Sequence, residues 1–169
     1  MRRALFIATL TLVAVPTAIA LADTSPADLS AAQTQCAAQR TSMGAPAFRL
    51  LYGTNANRSN AFGKCVSRLA SQNAQNRTNA SAQCRDERTA DPAAFKAKYG
   101  TGHNGSNAFG NCVSTKAKAA AAAQQQATIN AAKTCLAERK LDPAAFKTKY
   151  GTNANKSNAF GKCVSAHAK

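Results

Sequence analysis

Few side chains in this 169-residue sequence are of the types that carry out chemistry: six cysteines, two histidines and seven carboxylates. Their spacing matches no serine-nucleophile elbow, HExxH zinc motif, phosphate-binding loop or nucleotide-binding glycine pattern. His103 and His167 occupy unrelated positions in the chain, and we expect both to be solvated. We therefore predict a protein that is not an enzyme and that uses no cofactor.

The six cysteines recur as three pairs of nearly constant spacing. Within a pair the residues are 29, 28 and 28 positions apart, whereas successive pairs are 19 and 23 positions apart. Spacing that is constant within pairs and variable between them predicts three local disulfides: Cys36–Cys65, Cys84–Cys112 and Cys135–Cys163. Zinc binding is the alternative, but a tetrahedral site needs four ligands, and no histidine recurs beside the pairs.

An asparagine-rich loop also occurs three times, at 54–60, 101–107 and 152–158. Its N–H groups, the start of the next helix and nearby cations would together suit a phosphate or sulfate ion. Those cations belong to the first and third loops: Arg58, Lys64, Lys156 and Lys162. The second loop has Gly105 and Asn111 instead. Turn geometry and helix capping are the favoured explanation of the Asn, Gly and Ser residues in all three loops, and anion binding is the alternative.

Both patterns belong to one internal repeat of three units. Every phenylalanine after residue 22, every tyrosine and every cysteine falls at a matching position in each unit. The frame FxxxYGTNANxSNAFGxCVS covers 48–67, 95–114 (with a varied loop) and 146–165. This frame resembles a repeat of small exported proteins of actinobacterial type. The resemblance implies export and brings no activity, cofactor or binding residue to transfer.

Local signals favour a helical unit. Asp91 and Asp142 each precede a proline, which predicts a capped helix start, and Gly100 and Gly151 suit a left-handed helix end. The Asn-rich loop should supply the cap of the next helix. There Phe62 begins an apolar stripe at helical spacing, although a strand is the alternative for the FGKCVS segment. Unit one lacks the capping aspartate, which predicts the least stable unit.

We predict an all-α fold of three tandem disulfide-stapled modules, each with about three short helices. The aromatic residues and cysteines should form a small core in each module. One continuous helix is expected to join modules two and three, whereas the joint between modules one and two should be weaker in helix and more mobile. The predicted segments are an N-terminal linker 23–31, module one 32–70, a polar linker 71–78, module two 79–118, an Ala/Gln-rich helical linker 119–127 and module three 128–169.

The first 22 residues have the features of a signal peptide. Arg2 and Arg3 precede an apolar run over 4–15, and small residues at 20 and 22 predict cleavage before Asp23. The run is short for a permanent membrane helix, so an uncleaved anchor is the less favoured alternative. No later apolar stretch is long enough to span a membrane. We therefore expect a secreted or cell-envelope protein.

Charge gives the main indication of partners. Lys and Arg number 22 against 7 Asp and Glu, for a formal net charge of +15. Such an excess attracts polyanions through a salt-sensitive field. We predict weak binding to wall polymers, anionic lipid headgroups or extracellular DNA. A structural or protein-interaction module of the envelope, with an envelope protein as its partner, is the alternative.

Overall fold

The computed structural model describes residues 23–102 and 104–169, and this part of the chain forms seven α-helices and no strand. In chain order the helices are α1 (Pro26–Met43), α2 (Ala45–Tyr52), α3 (Ala61–Ala90), α4 (Pro92–Tyr99), α5 (Ala108–Leu141), α6 (Pro143–Tyr150) and α7 (Ala159–His167). The predicted all-α fold is confirmed, and every FGKCVS-type segment is helical. The signal-peptide prediction for 1–22 and the prediction for His103 lie outside the described residues.

Three disulfides connect the helices, and their pairing is the predicted one. Cys36–Cys65 joins α1 to α3, Cys84–Cys112 joins α3 to α5, and Cys135–Cys163 joins α5 to α7. All six cysteines are fully buried. Each bridge therefore closes one repeat unit by tying its first helix to its last.

Each unit contains the three predicted helical segments, and two long helices, α3 and α5, are each shared by two units. The predicted continuous helix between units two and three is confirmed as α5, with 34 residues. The expected weaker joint at 71–78 instead lies inside the 30-residue α3. Its low helix propensity is overridden by packing, because Ala74 is fully buried and Asn73 and Asn76 are buried with hydrogen-bonded side chains.

The predicted N-terminal linker 23–31 is also helical from Pro26 onward. Asp28 accepts a hydrogen bond from the Ser25 N–H at 2.9 Å, while the Ser25 hydroxyl accepts one from the Asp28 N–H at 3.2 Å, which forms a capping box. Arg77 of α3 donates to the same carboxylate at 2.9 Å. Partial burial alone would raise the pKa of Asp28, but the Ser25 N–H and the Arg77 guanidinium outweigh it and lower that pKa.

The ends of the short helices follow the sequence in part. Asp91 and Asp142 cap α4 and α6 through 2.9 Å bonds, as predicted. Gly151, however, has φ −75°, so the predicted left-handed helix end is wrong there and at Gly100. Glycine is required at position 151 by close approach, because a Cβ atom would lie 2.6 Å from the Lys147 carbonyl oxygen.

The left-handed residue lies five positions after that glycine in each unit. Arg58, Gly105 and Lys156 have φ values of 56°, 59° and 53°. The second unit thus places glycine where the other two force a long side chain into a conformation that L-residues rarely adopt. The conformation at this position is therefore a requirement of the turn and does not depend on whether the residue is charged.

The buried residues form two cores of unequal size. Units one and three share the larger one, to which every described helix except α4 contributes. Unit two has a separate core of four buried residues: Cys84, Phe95, Ala108 and Cys112. The aromatic residues are not uniformly core residues, since Phe160 is 3% exposed whereas its equivalent Phe62 is 39% exposed. Both belong to the paired units, so the place of each helix in the fold, and not the repeat alone, decides how deeply an aromatic residue is buried.

Candidate functional site

The three Asn-rich loops are fastened by their own side chains. Asn60, at the start of α3, accepts a hydrogen bond from the Thr54 N–H at 3.0 Å and donates to the Thr54 hydroxyl at 2.8 Å. Equivalent pairs of bonds recur in the other two loops. None of the three asparagines forms the predicted side-chain cap on the helix that follows. The Thr54 N–H, which an anion site would have used, is already bonded.

The four predicted anion-binding residues have different roles. Arg58 is half-buried and donates from Nη1 to the Leu50 carbonyl oxygen at 2.9 Å, so it covers the end of α2. Lys156 holds the equivalent left-handed position in unit three. Lys64 and Lys162 are exposed at the fourth residue of α3 and α7. Among the described residues no carboxylate lies within 4 Å of these three lysines.

Each unit also contains a tyrosine pair that the sequence analysis missed. The hydroxyl group of the tyrosine donates to the side chain located three positions after the first cysteine. The bonds are Tyr52–Gln39 at 2.6 Å, Tyr99–Glu87 at 2.9 Å and Tyr150–Glu138 at 2.9 Å. A signal was present in the sequence, because all three units place Gln or Glu at that position and Tyr 12 or 13 residues later.

In unit two the acidic partner is surrounded by cations. Glu87 lies 2.8 Å from Lys116 and 3.6 Å from Lys98. Lys116 and then Tyr99 lower the pKa of the Glu87 carboxyl. In the same cluster, Tyr99 and Glu87 raise the pKa of Lys98. The carboxylate is satisfied by hydrogen bonds and serves to hold the tyrosine in place.

Unit three repeats this cluster with a histidine in place of one lysine. Glu138 accepts from Lys149 at 2.6 Å, and Lys149 lowers the pKa of its carboxyl. His167, exposed as predicted, lies with Nε2 3.2 Å from the Tyr150 hydroxyl. The Cys135 and Cys163 sulfurs are also near this histidine, but their disulfide leaves neither as the thiolate that zinc binds.

Unit one replaces the charged cluster with a buried neutral one. Gln39 is fully buried, and Leu51 and Leu69 stand where the other units have cations. The Nε2 atom of Gln39 has no hydrogen-bond partner among the described residues. A cavity of about 10 Å³ adjoins it and is lined by further amides, a volume at the lower limit for one water molecule. The neutral amide suits this position because unit one packs against unit three, and a buried carboxylate would carry a desolvation cost.

An open groove of about 840 Å³ lies between α1, α3 and α5. Alanines from all three helices form much of its wall, together with Phe109 and Val113 of unit two. Three cations also line it: Arg77, Arg85 and Lys118. This groove therefore combines space for a ligand with uncovered apolar side chains.

The fold and its bridges define an all-α, disulfide-stapled protein. Comparison of the chain with protein-family models, curated proteins and solved structures gave no match. Among the described residues, no helix has both the length and the apolar character needed to cross a membrane. The function is therefore argued from the chain's own chemistry.

Proposed function

We propose that this chain is an exported, non-enzymatic protein that binds acidic polymers weakly through exposed Lys and Arg side chains. The observation that carries the proposal is the excess of unpaired positive charge. Of the 22 Lys and Arg residues, Arg2 and Arg3 lie outside the described residues, and four of the other 20 form ion pairs: Arg77, Lys98, Lys116 and Lys149. The other 16 described cations have no carboxylate within 4 Å among the described residues and can attract a polyanion.

Export is supported by two independent features. Residues 1–22 have the charge, apolar run and small residues of a secretory signal. Three buried disulfides are typical of proteins that fold in an oxidising compartment. The accessible polyanions would then be wall polymers, anionic lipid headgroups or extracellular DNA.

The mechanism is long-range attraction followed by many weak contacts. Cations are distributed over all three units, so each binding event releases counterions from the polymer and its affinity falls with salt. No base-reading motif accompanies these cations. We therefore expect affinity to follow the charge density of the polymer and not its sequence.

The test is retention of the oxidised chain 23–169 on immobilised heparin at several salt concentrations. Two triple variants have the same change in charge: Lys64, Lys156 and Lys162 to Gln at the loops, and Lys96, Lys133 and Lys147 to Gln elsewhere. All six lysines are exposed or half-buried and have no carboxylate within 4 Å in the described residues. A diffuse field predicts an equal loss of retention, whereas dedicated loop sites predict a larger loss for the first variant. Retention that does not change with salt would overturn the proposal.

A structural or protein-interaction role in the envelope remains the second candidate, and the groove is the observation that favours it. An uncovered apolar surface on a small basic protein marks a contact site. Binding of a purified envelope protein that resists high salt and is lost when the groove is filled would support this role over the first.

A further inference from the structure

The groove exists because α1 is shorter than the helices beside it. α1 has 18 residues and α3 has 30, so at about 1.5 Å per residue α1 covers roughly three-fifths of the length of α3. Beyond the start of α1, α3 and α5 continue with only the short helix α4 packed against them. Phe109, Val113, Ala117 and Ala121 of α5 lie four residues apart and line the groove on one face of that helix.

The repeat shows this apolar face covered in unit three, whereas unit one leaves the equivalent Phe62 39% exposed. In unit three the residues equivalent to Phe109 and Val113 are Phe160 and Val164, and both are 3% exposed in the core shared with unit one. Unit two has no partner unit, and its Phe109 and Val113 are only half-buried. The groove is thus the uncovered counterpart of an interface that the same chain closes elsewhere.

The charged side chains that line the groove are Asp28 and three cations, so cations are in excess. Arg77 is held by Asp28, whereas Arg85 and Lys118 have no carboxylate within 4 Å among the described residues. The Arg88 guanidinium carbon adds a further cation 5.1 Å from the centre of the Phe109 ring. The groove therefore offers apolar walls beside unpaired cations.

We propose that this groove binds one long-chain carboxylate, with its hydrocarbon tail on the alanine-lined walls and its carboxylate at Arg85 and Lys118. The cavity volume lies within the roughly 300–1,000 Å³ typical of small-molecule sites. The hydrocarbon tail would cover the apolar face that a partner unit covers in unit three, and the cations would select an anionic head group. The site goes beyond polyanion binding, since its affinity depends on apolar contact as well as on charge.

The test is calorimetric titration of the oxidised chain with monomeric decanoate, laurate and myristate below their aggregation concentrations. Each added methylene should tighten binding two- to fourfold while the tail lies in the groove. Equal affinity along the series would overturn the proposal, because a purely ionic contact is insensitive to tail length. Binding to anionic phospholipid vesicles without binding to the monomeric carboxylates would also overturn it, in favour of a membrane surface. Dimerisation in sedimentation runs that excludes the carboxylate would assign the groove to a second copy of the chain.

Variants distinguish the groove from the rest of the surface. Ala82 and Ala122 are exposed within it, so Ala82→Leu with Ala122→Leu should fill the space and weaken laurate binding at least tenfold. Ala123→Leu, at the next exposed position outside the groove, is the matched control and should leave binding unchanged. Circular dichroism and disulfide mapping verify folding. A loss of affinity equal in both variants would contradict the placement of the site.

A second pair of variants tests the head group. Arg85→Gln with Lys118→Gln should weaken laurate about tenfold and leave dodecanol binding unchanged, since an alcohol lacks the charge. Lys96→Gln with Lys133→Gln removes equal charge elsewhere and should not affect laurate. Heparin retention of all variants separates the two proposals: the groove-filling variant should keep full retention. Loss of dodecanol binding together with laurate would show that the cations do not select the head.

Discussion

Unit two and the pair formed by units one and three are built from the same repeat, yet they are stabilised differently. Units one and three bury most of their aromatic and aliphatic residues in one shared core and leave Phe62 exposed, whereas unit two buries four residues in a core of its own. Because burial of apolar area is the main stabilising contribution in a small domain, unit two depends more on its disulfide. The comparison shows that a partner surface, and not the repeat sequence alone, determines the stability of each unit.

The tyrosine pairs show the same difference. Gln39 in unit one is fully buried, and burial raises the pKa of its partner Tyr52. Glu87 and Glu138 are half-buried in their units and each is paired with a lysine. The equivalent tyrosine hydrogen bond is thus present in all three units. Its acceptor is neutral in unit one, where the side chain is buried, and charged in units two and three, where the side chain is closer to water.

The largest expected effect is a difference in unfolding free energy between alanine variants of two equivalent phenylalanines. Phe160→Ala should cost about 3–5 kcal/mol of unfolding free energy, because it leaves a cavity in the shared core. Phe109→Ala should cost no more than about half of that, since the side chain is half-buried at the groove. Urea unfolding of both variants measures the difference. Equal losses would mean that units one and three are not stabilised by their pairing.

Removal of one disulfide at a time comes next in size. Loss of either the Cys84–Cys112 or the Cys36–Cys65 bridge should cost about 3.5 kcal/mol for a loop of this length. Only the Cys84→Ala/Cys112→Ala variant should expose a single region, α4 and its flanks, because its core is separate. Hydrogen exchange of individual amides distinguishes local from global opening. Because its core is the smaller one, we expect unit two to be the least stable unit, whereas the missing aspartate cap predicts unit one.

The caps give a smaller effect that is the same in both regions. Asp142→Ala should cost about 1 kcal/mol, because two N–H groups of α6 lose their acceptor. Asp91→Ala should cost a similar amount in α4, and Asn at either position should restore most of it. A markedly larger loss for Asp91 in thermal unfolding would show that unit two is near its limit of stability.

Acid should reveal the smallest difference. Lys149 lowers the pKa of Glu138 in the folded chain, so this ion pair stabilises the fold above the ordinary glutamate pKa of 4.5. The contribution is lost as the pH falls through the lowered pKa. Glu138→Gln should therefore flatten the dependence of Tm on pH between about 5 and 3. Gln39→Glu in unit one is the converse change and should lower Tm at neutral pH, because that position is fully buried.

Much of the fold was accessible from local signals. The cysteine spacing predicted the three bridges, and the Asp-Pro pairs predicted the starts of α4 and α6. Both rest on interactions between residues of the same repeat unit. The prediction for segment 71–78 was wrong because it was based on helix propensity, which is a local property. The helix there is stabilised by tertiary contacts, since Asn73 and Asn76 are buried against α1 and α5.

The candidate sites divide in the same way. The excess of positive charge, the repeat and the three cysteine pairs are properties of composition and spacing, so they can be read from the residues alone. The pairing of units one and three, and the open groove in which unit two leaves Phe109 and Val113 beside Arg85 and Lys118, are visible only in the folded molecule. Pairing depends on which apolar faces meet across long distances in the chain, and three similar repeats present similar apolar faces, so their pattern does not say which two will pack together.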